Sequence, residues 1–203
     1  GLQPTVCIHC WPLIAHLGRF AANYDNGVDV IFSSQPSVPA HIVDTRIKSR
    51  SRVPYRLALL EAAQAGSNVW PVLFDPDGYL AEGPAWNVFL VKDGTIYTPA
   101  PRNILHGISR AITIDLAGEL EIEVRETDLR QEDALAADEL FCTATSFCIV
   151  HAASLEGAPL AGGGPGPVVQ KLRPAWQRAV GLEFIAQANS YAGRLSAWEA
   201  RTT

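Results

Sequence analysis

Methionine is absent from the 203 residues, and the chain begins with Gly1. Because a translated protein starts with methionine, we expect a processed chain or a fragment. The four cysteines are too scattered to form a disulfide framework, so the cytoplasm is the expected compartment. No apolar run is long enough to cross a bilayer and no signal-peptide pattern is present, so we expect no membrane partner.

Charge is also scarce. Charged residues make up 18% of the chain, and the net charge of −5 argues against nucleic acid as a partner. Apolar residues make up 48%, which is typical of a globular protein with one good core or two small domains.

The most informative stretch is 79–110, which predicts strand, tight turn, strand, hairpin, strand, loop and helix start. Asp93-Gly94 lies between two apolar runs, a strong hairpin pattern. Glu82 stands at a Glu-Gly corner in an apolar neighbourhood, where a carboxylate is costly unless a cation or a donor meets it. Gly107 and Ser109 open the helix with free N–H groups, a hydroxyl and the positive dipole end, which together favour an anion.

A buried carboxylate and a phosphate cradle on one unit suggest a cofactor with a basic ring nitrogen and a phosphate. Pyridoxal 5′-phosphate has both, and it needs a lysine to hold its aldehyde. Lys48 lies upstream, a few residues before a predicted helix.

Five motifs occur in the order of a known family. They are the Lys48 segment, Ala81-Glu82-Gly83 with Asn87, the Lys-Asp-Gly hairpin, Leu105-x-Gly-Ile-Ser and Gly164-Pro-Gly-Pro-Val. Over residues 25–180 the chain resembles the class IV (fold type IV) pyridoxal-phosphate aminotransferases. Its motifs are most similar to those of (R)-selective amine transaminases and of branched-chain and D-amino-acid aminotransferases.

The resemblance implies an α+β fold: mostly the larger C-terminal pseudo-barrel domain, with most of the small N-terminal α/β domain absent. Residues 1–34 would be the remnant of that domain, 35–44 a connector and 45–203 the cofactor-binding domain. In relatives the absent part supplies an arginine to the cofactor phosphate and several substrate contacts. A homodimer with the site near its interface is the family expectation.

The resemblance also implies roles for individual residues. Lys48 would be the catalytic Schiff-base lysine, buried near other cations so that its amine can lose its proton and attack the aldehyde, and Glu82 would pair with the protonated ring nitrogen. The implied cofactor-binding residues are Lys48, Glu82, Leu105, Gly107, Ile108, Ser109, Ala144 and Thr145. Ser146 and Phe147 would contact the substrate, and they depart from the usual family residues, which leaves the substrate open.

Several patterns have ordinary alternatives. Lys48 could be a solvated lysine in a basic cluster with Arg46, Arg50 and Arg52. Arg50, Arg52 and Arg56 are expected to form a solvated face, with binding of a substrate carboxylate as the alternative. Cys7-x-x-Cys10 lacks the second pair or the histidines of a zinc site, so we predict ordinary strand residues and no metal. The glycine-rich run 161–167 lacks the Lys-Ser/Thr of a phosphate loop and predicts a structural turn before a helix at 168–180.

The expected function is transfer of an amino group from an amine or amino acid to a 2-oxo acid, with pyridoxal phosphate linked to Lys48. A lyase of the aminodeoxychorismate type, or a catalytically idle fragment, are the alternatives. Elsewhere the patterns predict strands at 5–10, 28–32, 68–74 and 120–124, a helix at 54–65, a strand–turn–strand unit at 140–150 and an extended segment at 41–47.

Overall fold

A mixed β-sheet forms the centre of the computed structural model, which describes residues 3–49 and 52–202, with side chains up to residue 195. Its nine strands within that part of the chain are β1 (Val28–Pro36), β2 (Val69–Phe74), β3 (Glu82–Gly83), β4 (Trp86–Lys92), β5 (Thr95–Pro99), β6 (Val124–Thr127), β7 (Glu139–Ala144), β8 (Cys148–Leu155) and β9 (Ala158–Pro159). The order across the sheet is β2-β1-β8-β7-β4-β5-β6, with β3 beside β4 and β9 beside β8.

Strand direction changes across this sheet. β1 runs parallel to both β2 and β8, and β5 runs parallel to β6. The central pairs β8–β7, β7–β4 and β4–β5 are antiparallel. The described helices are α1 (Leu13–Leu17), α2 (Ala21–Asn26), α3 (Val53–Ala65), α4 (Ile108–Glu119), α5 (Gln131–Leu135), α6 (Pro167–Val180) and α7 (Phe184–Thr202). No helix of the described chain is both long and apolar enough to span a membrane.

The predicted hairpin is confirmed between β4 and β5. Asp93 and Gly94 have φ values of 49° and 78°, the left-handed conformation that a tight two-residue hairpin requires at both central positions. Every residue of β4 except Lys92 is buried, so the hairpin places β4 in the middle of the core. The strand also carries Asn87 into the neighbourhood of Glu82.

The glycine-rich run before α6 is a structural turn, as predicted. Glu139, buried on β7, accepts hydrogen bonds from the N–H groups of Val168 (2.9 Å) and Val169 (3.2 Å) in the first turn of α6. A Cβ at Gly166 would lie 2.1 Å from Cδ of Glu139, so only glycine fits there. The carboxylate thereby caps α6 in the way that a local N-cap side chain usually does.

Two predicted extended segments are wrong. Residues 5–10 lie in an exposed stretch without regular structure, because no strand within the described residues pairs with this short run. Residues 41–47 form consecutive turns rather than an extended chain; the amide of Val43, for example, donates to the carbonyl of Pro39.

The strand predicted at 120–124 is also wrong, since β6 begins only at Val124. Glu121 adopts a left-handed φ of 57°, and the amide of Ile122 donates to Ala117 at the end of α4. The alternating apolar residues therefore pack the turn after the helix. β1 in turn continues to Pro36, past its predicted end at residue 32, so the expected division at residue 34 falls inside a strand; that domain division stays a prediction.

Candidate active site

Glu82 is a carboxylate held in the interior by several donors. Its side chain is only 7% exposed, and its Oε2 accepts the amide N–H of Leu105 at 2.9 Å. Its Oε1 accepts the hydroxyl of Tyr55 at 2.8 Å, and the guanidinium of Arg52 lies 3.6 Å away. The sequence expectation that donors and a cation must meet this carboxylate is met by these three groups.

Burial dominates the electrostatics of Glu82. Loss of water raises the pKa of its carboxyl above the ordinary value. The Leu105 amide, the Tyr55 hydroxyl and the positive charges of Arg52 and Lys48 each oppose that rise. A cationic N–H placed against Glu82 would oppose it further, so this carboxylate can bind a cation.

Asn87 joins Glu82 to the start of α4. Its amide nitrogen lies 3.5 Å from Oε2 of Glu82 and donates to the carbonyl of Leu105 at 3.0 Å. Its Oδ1 faces Gly107, where an added Cβ would lie only 2.2 Å away. The buried carboxylate and the helix N-terminus are therefore within reach of one side chain.

The first turn of α4 presents backbone donors at this place. Gly107 is the N-cap residue, and no side chain among the described residues caps the helix. Ser109 is buried within the first turn and Ile108 is exposed. Because the first N–H groups of a helix carry partial positive charge, this end suits an anion.

The turn after β7 lies beside the same elements. Thr143 pairs with Asn87 across the β4–β7 ladder, and its buried Oγ1 has no hydrogen-bond partner in the part of the chain that is described. Ala144 ends the strand and is half-buried, and Thr145 follows at the exposed tip of the turn. These threonine hydroxyls and the N-terminus of α4 are thus brought to one end of the sheet.

Ser146 and Phe147, the predicted substrate residues, occupy different environments within that turn. The hydroxyl of Ser146 lies 2.8 Å from Nε2 of His16 on α1. Phe147 is buried, with its ring 5.2 Å from those of Phe20 and Trp70. Ser146 is therefore the more accessible member of the pair, and their substrate roles stay predictions.

Lys48 lies at the margin of the cavity that contains Glu82. Its neighbours Ile47 and Ser49 line that cavity together with Glu82 and Leu105. The side chain of Lys48 is exposed, contrary to the expected burial, because the 41–49 segment runs over the surface in turns. Its charge nonetheless acts on Glu82, and its catalytic role stays a prediction.

The sequence patterns missed two residues of this site, Tyr55 and Thr143, and left the role of a third, Arg52, open. They place Tyr55 only within a helix, and its position on the buried side of α3 with Ala58 and Ala62 gives no sign of its hydroxyl contact. They place Arg52 only among several surface cations. Arg56 is exposed, and Arg50 lies outside the described residues.

The fold and the site together define a protein of the fold type IV class. A mixed sheet holds a buried carboxylate and a helix N-terminus side by side, an arrangement that can bind a cationic ring nitrogen and an anionic group of one small molecule. The solved structure of the branched-chain amino acid aminotransferase from Thermobaculum terrenum in its PLP form is similar, with a TM-score of 0.72 and 29% identity over 81% of this chain and 54% of that chain.

The chain belongs to the class IV aminotransferase family, whose model matches residues 10–155. It is 34% identical to the branched-chain-amino-acid aminotransferase of Pseudomonas aeruginosa, over 87% of this chain and 57% of the relative. It is 28% identical to the D-alanine aminotransferase of Bacillus licheniformis, over 89% and 60%. The chain thus spans little more than half the length of these relatives.

These comparisons confirm the predicted family and fold class. The relatives include the branched-chain and D-amino-acid types that the motifs indicated. The similarity to (R)-selective amine transaminases, and the role of each site residue, stay predictions.

Proposed function

We propose that this chain carries the cofactor site of a pyridoxal-phosphate-dependent transaminase that moves an amino group from an amine or amino acid to a 2-oxo acid. The observation that carries the proposal is the position of Asn87. Its side chain lies 3.5 Å from Glu82 and against Gly107 at the N-terminus of α4. A buried acid for a ring nitrogen and a set of donors for a phosphate are thereby parts of one site.

The residues present fit this cofactor. Oε2 of Glu82 is fixed by a backbone amide, whereas the groups at Oε1 are the side chains of Arg52 and Tyr55, so a ring N–H can share Oε1 with them. The buried hydroxyl of Thr143 and the N–H groups in the first turn of α4 have no side-chain partner among the described residues. They can therefore donate hydrogen bonds to a bound phosphate. The cavity beside Glu82 has a volume of about 110 Å³, which is small compared with typical ligand pockets. The side chains of Arg52 and Tyr55 form part of its wall.

Each residue has a separate task in the proposed reaction. When bound, pyridoxal phosphate supplies an aldehyde and an electron-withdrawing ring. Glu82 holds the proton at the ring nitrogen, and Leu105 and Asn87 keep its carboxylate in place. The N–H groups of Ile108 and Ser109 bind the phosphate, with the hydroxyls of Ser109 and Thr145 beside them.

Lys48 has two tasks in this proposal. Its amine would hold the aldehyde of the cofactor, and the same amine, once free, would move the proton at the substrate α-carbon. The Schiff-base and acid–base roles therefore need Lys48 to approach Glu82's cavity, whose wall its neighbours Ile47 and Ser49 already form.

A single-turnover assay tests this function. The chain is loaded with pyridoxal phosphate, freed of excess cofactor and mixed with one substrate at a time: an amino acid, a simple chiral amine or aminodeoxychorismate. A transaminase releases one equivalent of carbonyl product and then stops until a 2-oxo acid is added. Repeated release of pyruvate without any acceptor would instead identify the lyase, and no product from any substrate would contradict both.

Glu82→Gln is the diagnostic variant for this assay. Loss of the carboxylate removes the group that keeps the ring nitrogen protonated, so we expect the turnover rate to fall by about 10²–10⁴-fold. Glu132→Gln, an exposed acid on α5, is the matched control and leaves the rate unchanged.

We also propose a cytoplasmic homodimer. Apolar side chains on the 41–49 segment and on α3 are exposed, among them Ile42, Ile47, Leu57 and Leu60, and a second copy would cover them. All four cysteines are free thiols, which fits a reducing compartment. Sedimentation of the cofactor-loaded chain tests the dimer, and a concentration-independent monomer would contradict it.

A further inference from the structure

Tyr55 makes the shortest side-chain contact with Glu82. It lies in the first turn of α3, is 8% exposed, and donates its hydroxyl to Oε1 of Glu82 at 2.8 Å. Burial and the neighbouring carboxylate raise the pKa of Tyr55 well above that of a free phenol. The hydroxyl therefore stays protonated and remains a donor across the range in which an enzyme works.

Arg52 supports Tyr55 from the other side. Its guanidinium carbon lies 4.0 Å from the centre of the Tyr55 ring, within cation–π distance. Its Nη2 is 3.6 Å from Oε1 of Glu82, too far for a good hydrogen bond. Tyr55, held under this cation, is thus the closer donor to that oxygen.

The two oxygens of Glu82 are held in different ways. The backbone amide of Leu105 fixes Oε2, and backbone cannot be removed by a side-chain change. Among the described residues, the groups that meet Oε1 are side chains from the start of α3. The direction of Oε1 therefore depends on whether Tyr55 is there to hold it.

We propose that Tyr55 is a positioning residue for Glu82: its hydroxyl aims the carboxylate at the place of the cofactor ring, and Arg52 keeps the Tyr55 ring in position. The proposal rests on the proposed function, since it gives Glu82 the task of binding a ring nitrogen. It adds a residue that acts through Glu82 and does not itself touch the reacting atoms.

The proposal predicts a change in the protonation of Glu82. The groups that act on Glu82 are Tyr55 and Arg52 from the start of α3, Leu105 from the loop before α4, Asn87 from β4 and Lys48 from the 41–49 segment. Of these, the Tyr55 hydroxyl is a close donor to the ionised carboxylate and lowers the pKa of Glu82. Without that hydroxyl, burial is opposed by fewer groups, so the pKa of Glu82 should rise.

The test compares Tyr55→Phe with the unchanged chain in two measurements. Carbon NMR of ¹³C-carboxyl-labelled glutamate follows the titration of Glu82 without cofactor, and we expect its pKa to be higher in the variant. Affinity for pyridoxamine 5′-phosphate is then measured against pH. We expect roughly ten-fold weaker binding at neutral pH and a profile displaced to higher pH.

Tyr79→Phe is the matched control, because a cation, Arg130, also lies over the Tyr79 ring, whereas the Tyr79 hydroxyl accepts a hydrogen bond from Arg130 and forms none with Glu82. It should leave both titration and profile unchanged. A merely structural role of Tyr55 would weaken binding equally at every pH. Tyr55→Phe with an unaltered Glu82 titration would overturn the proposal.

A second substitution, which keeps the shape of Tyr55, provides a test in case Tyr55→Phe does not fold. Site-specific 3-fluorotyrosine at position 55 is a more acidic phenol and a stronger donor, so the pKa of Glu82 should fall. If the unchanged chain binds no pyridoxamine 5′-phosphate, the proposed function fails. If it binds the cofactor and neither Tyr55 change moves the Glu82 titration, this inference alone fails.

Discussion

Gly107→Ala is the substitution that most sharply tests the geometry of the site. Gly107 has φ −65° and ψ 135°, values that alanine adopts without strain, so the change acts through the added methyl group alone. That Cβ would lie 2.2 Å from Oδ1 of Asn87, far inside van der Waals contact. Asn87 is buried, so it must leave its position by about an ångström to relieve the clash.

The cost follows from the contacts that Asn87 would lose. Its amide donates to the carbonyl of Leu105 at 3.0 Å and approaches Glu82 at 3.5 Å. A buried polar group deprived of its partner costs about 2 kcal/mol. In a chain of this size that lowers the melting temperature by about 4–8 °C. The displaced amide also disturbs Glu82 and the first turn of α4, so affinity for pyridoxal phosphate should fall by at least about ten-fold.

Thermal unfolding followed by circular dichroism measures the first effect, and titration of the cofactor absorbance measures the second. Gly118→Ala is the control, since it lies in the same helix with open space around its Cβ. That change should stabilise the chain by about 0.5–1 kcal/mol through helix propensity. If Gly107→Ala unfolds at the same temperature and binds cofactor as well as the unchanged chain, the proposed contact between Asn87 and the helix start is refuted.

Two further predictions concern stability. Glu139→Gln weakens the cap of α6 and should cost about 1–2 kcal/mol in urea unfolding, whereas the exposed Glu132→Gln should cost nothing measurable. Burial, aided by Arg173, lowers the pKa of His151 to about 4. The unfolded chain therefore binds a proton at His151 near pH 6.5, whereas the folded chain binds it only near pH 4. The free energy of unfolding should therefore fall between pH 6.5 and pH 4, by on the order of 1–2 kcal/mol after allowing for solvent screening. His151→Gln should remove that part of the pH dependence, and an unchanged slope would contradict the assignment.

The parts of the fold that short-range chemistry decides could be predicted from the sequence. Asp93-Gly94 needs left-handed backbone at both positions, and that requirement alone places the β4–β5 hairpin. Pro54 near the start of α3 and Gly66 after its end mark a helix that the structure has at Val53–Ala65.

The parts that depend on distant partners could not be predicted in this way. The run 5–10 has the composition of a strand but no neighbour to pair with, and the parallel pairing of β1 with both β2 and β8 joins segments far apart in the chain. The turn at Glu121 ends the apolar alternation that predicted a strand at 120–124, because Ile122 bonds back to α4.

The candidate site shows the same division. Glu82 could be identified because a carboxylate in an apolar corner demands partners, and the helix start at Gly107 because of its residue types. Tyr55 could not be identified as the partner of Glu82, since the two are 27 positions apart in the sequence and no pattern indicates the contact. The Gly107–Asn87 contact likewise arises only from the packing of β4 against the start of α4.

Covalent trapping of the cofactor would show whether Lys48 is the lysine that binds it. The chain has three lysines, Lys48, Lys92 and Lys171, and the last two lie on the exposed surface away from Glu82, with Lys92 paired to Asp138. The chain is incubated with equimolar pyridoxal phosphate, reduced with borohydride, digested and mapped by mass spectrometry. We expect one label per chain, on the Lys48 peptide, and its loss in Lys48→Ala but not in Lys92→Ala. Label spread evenly over the three lysines, or undiminished in Lys48→Ala, would contradict the proposed site.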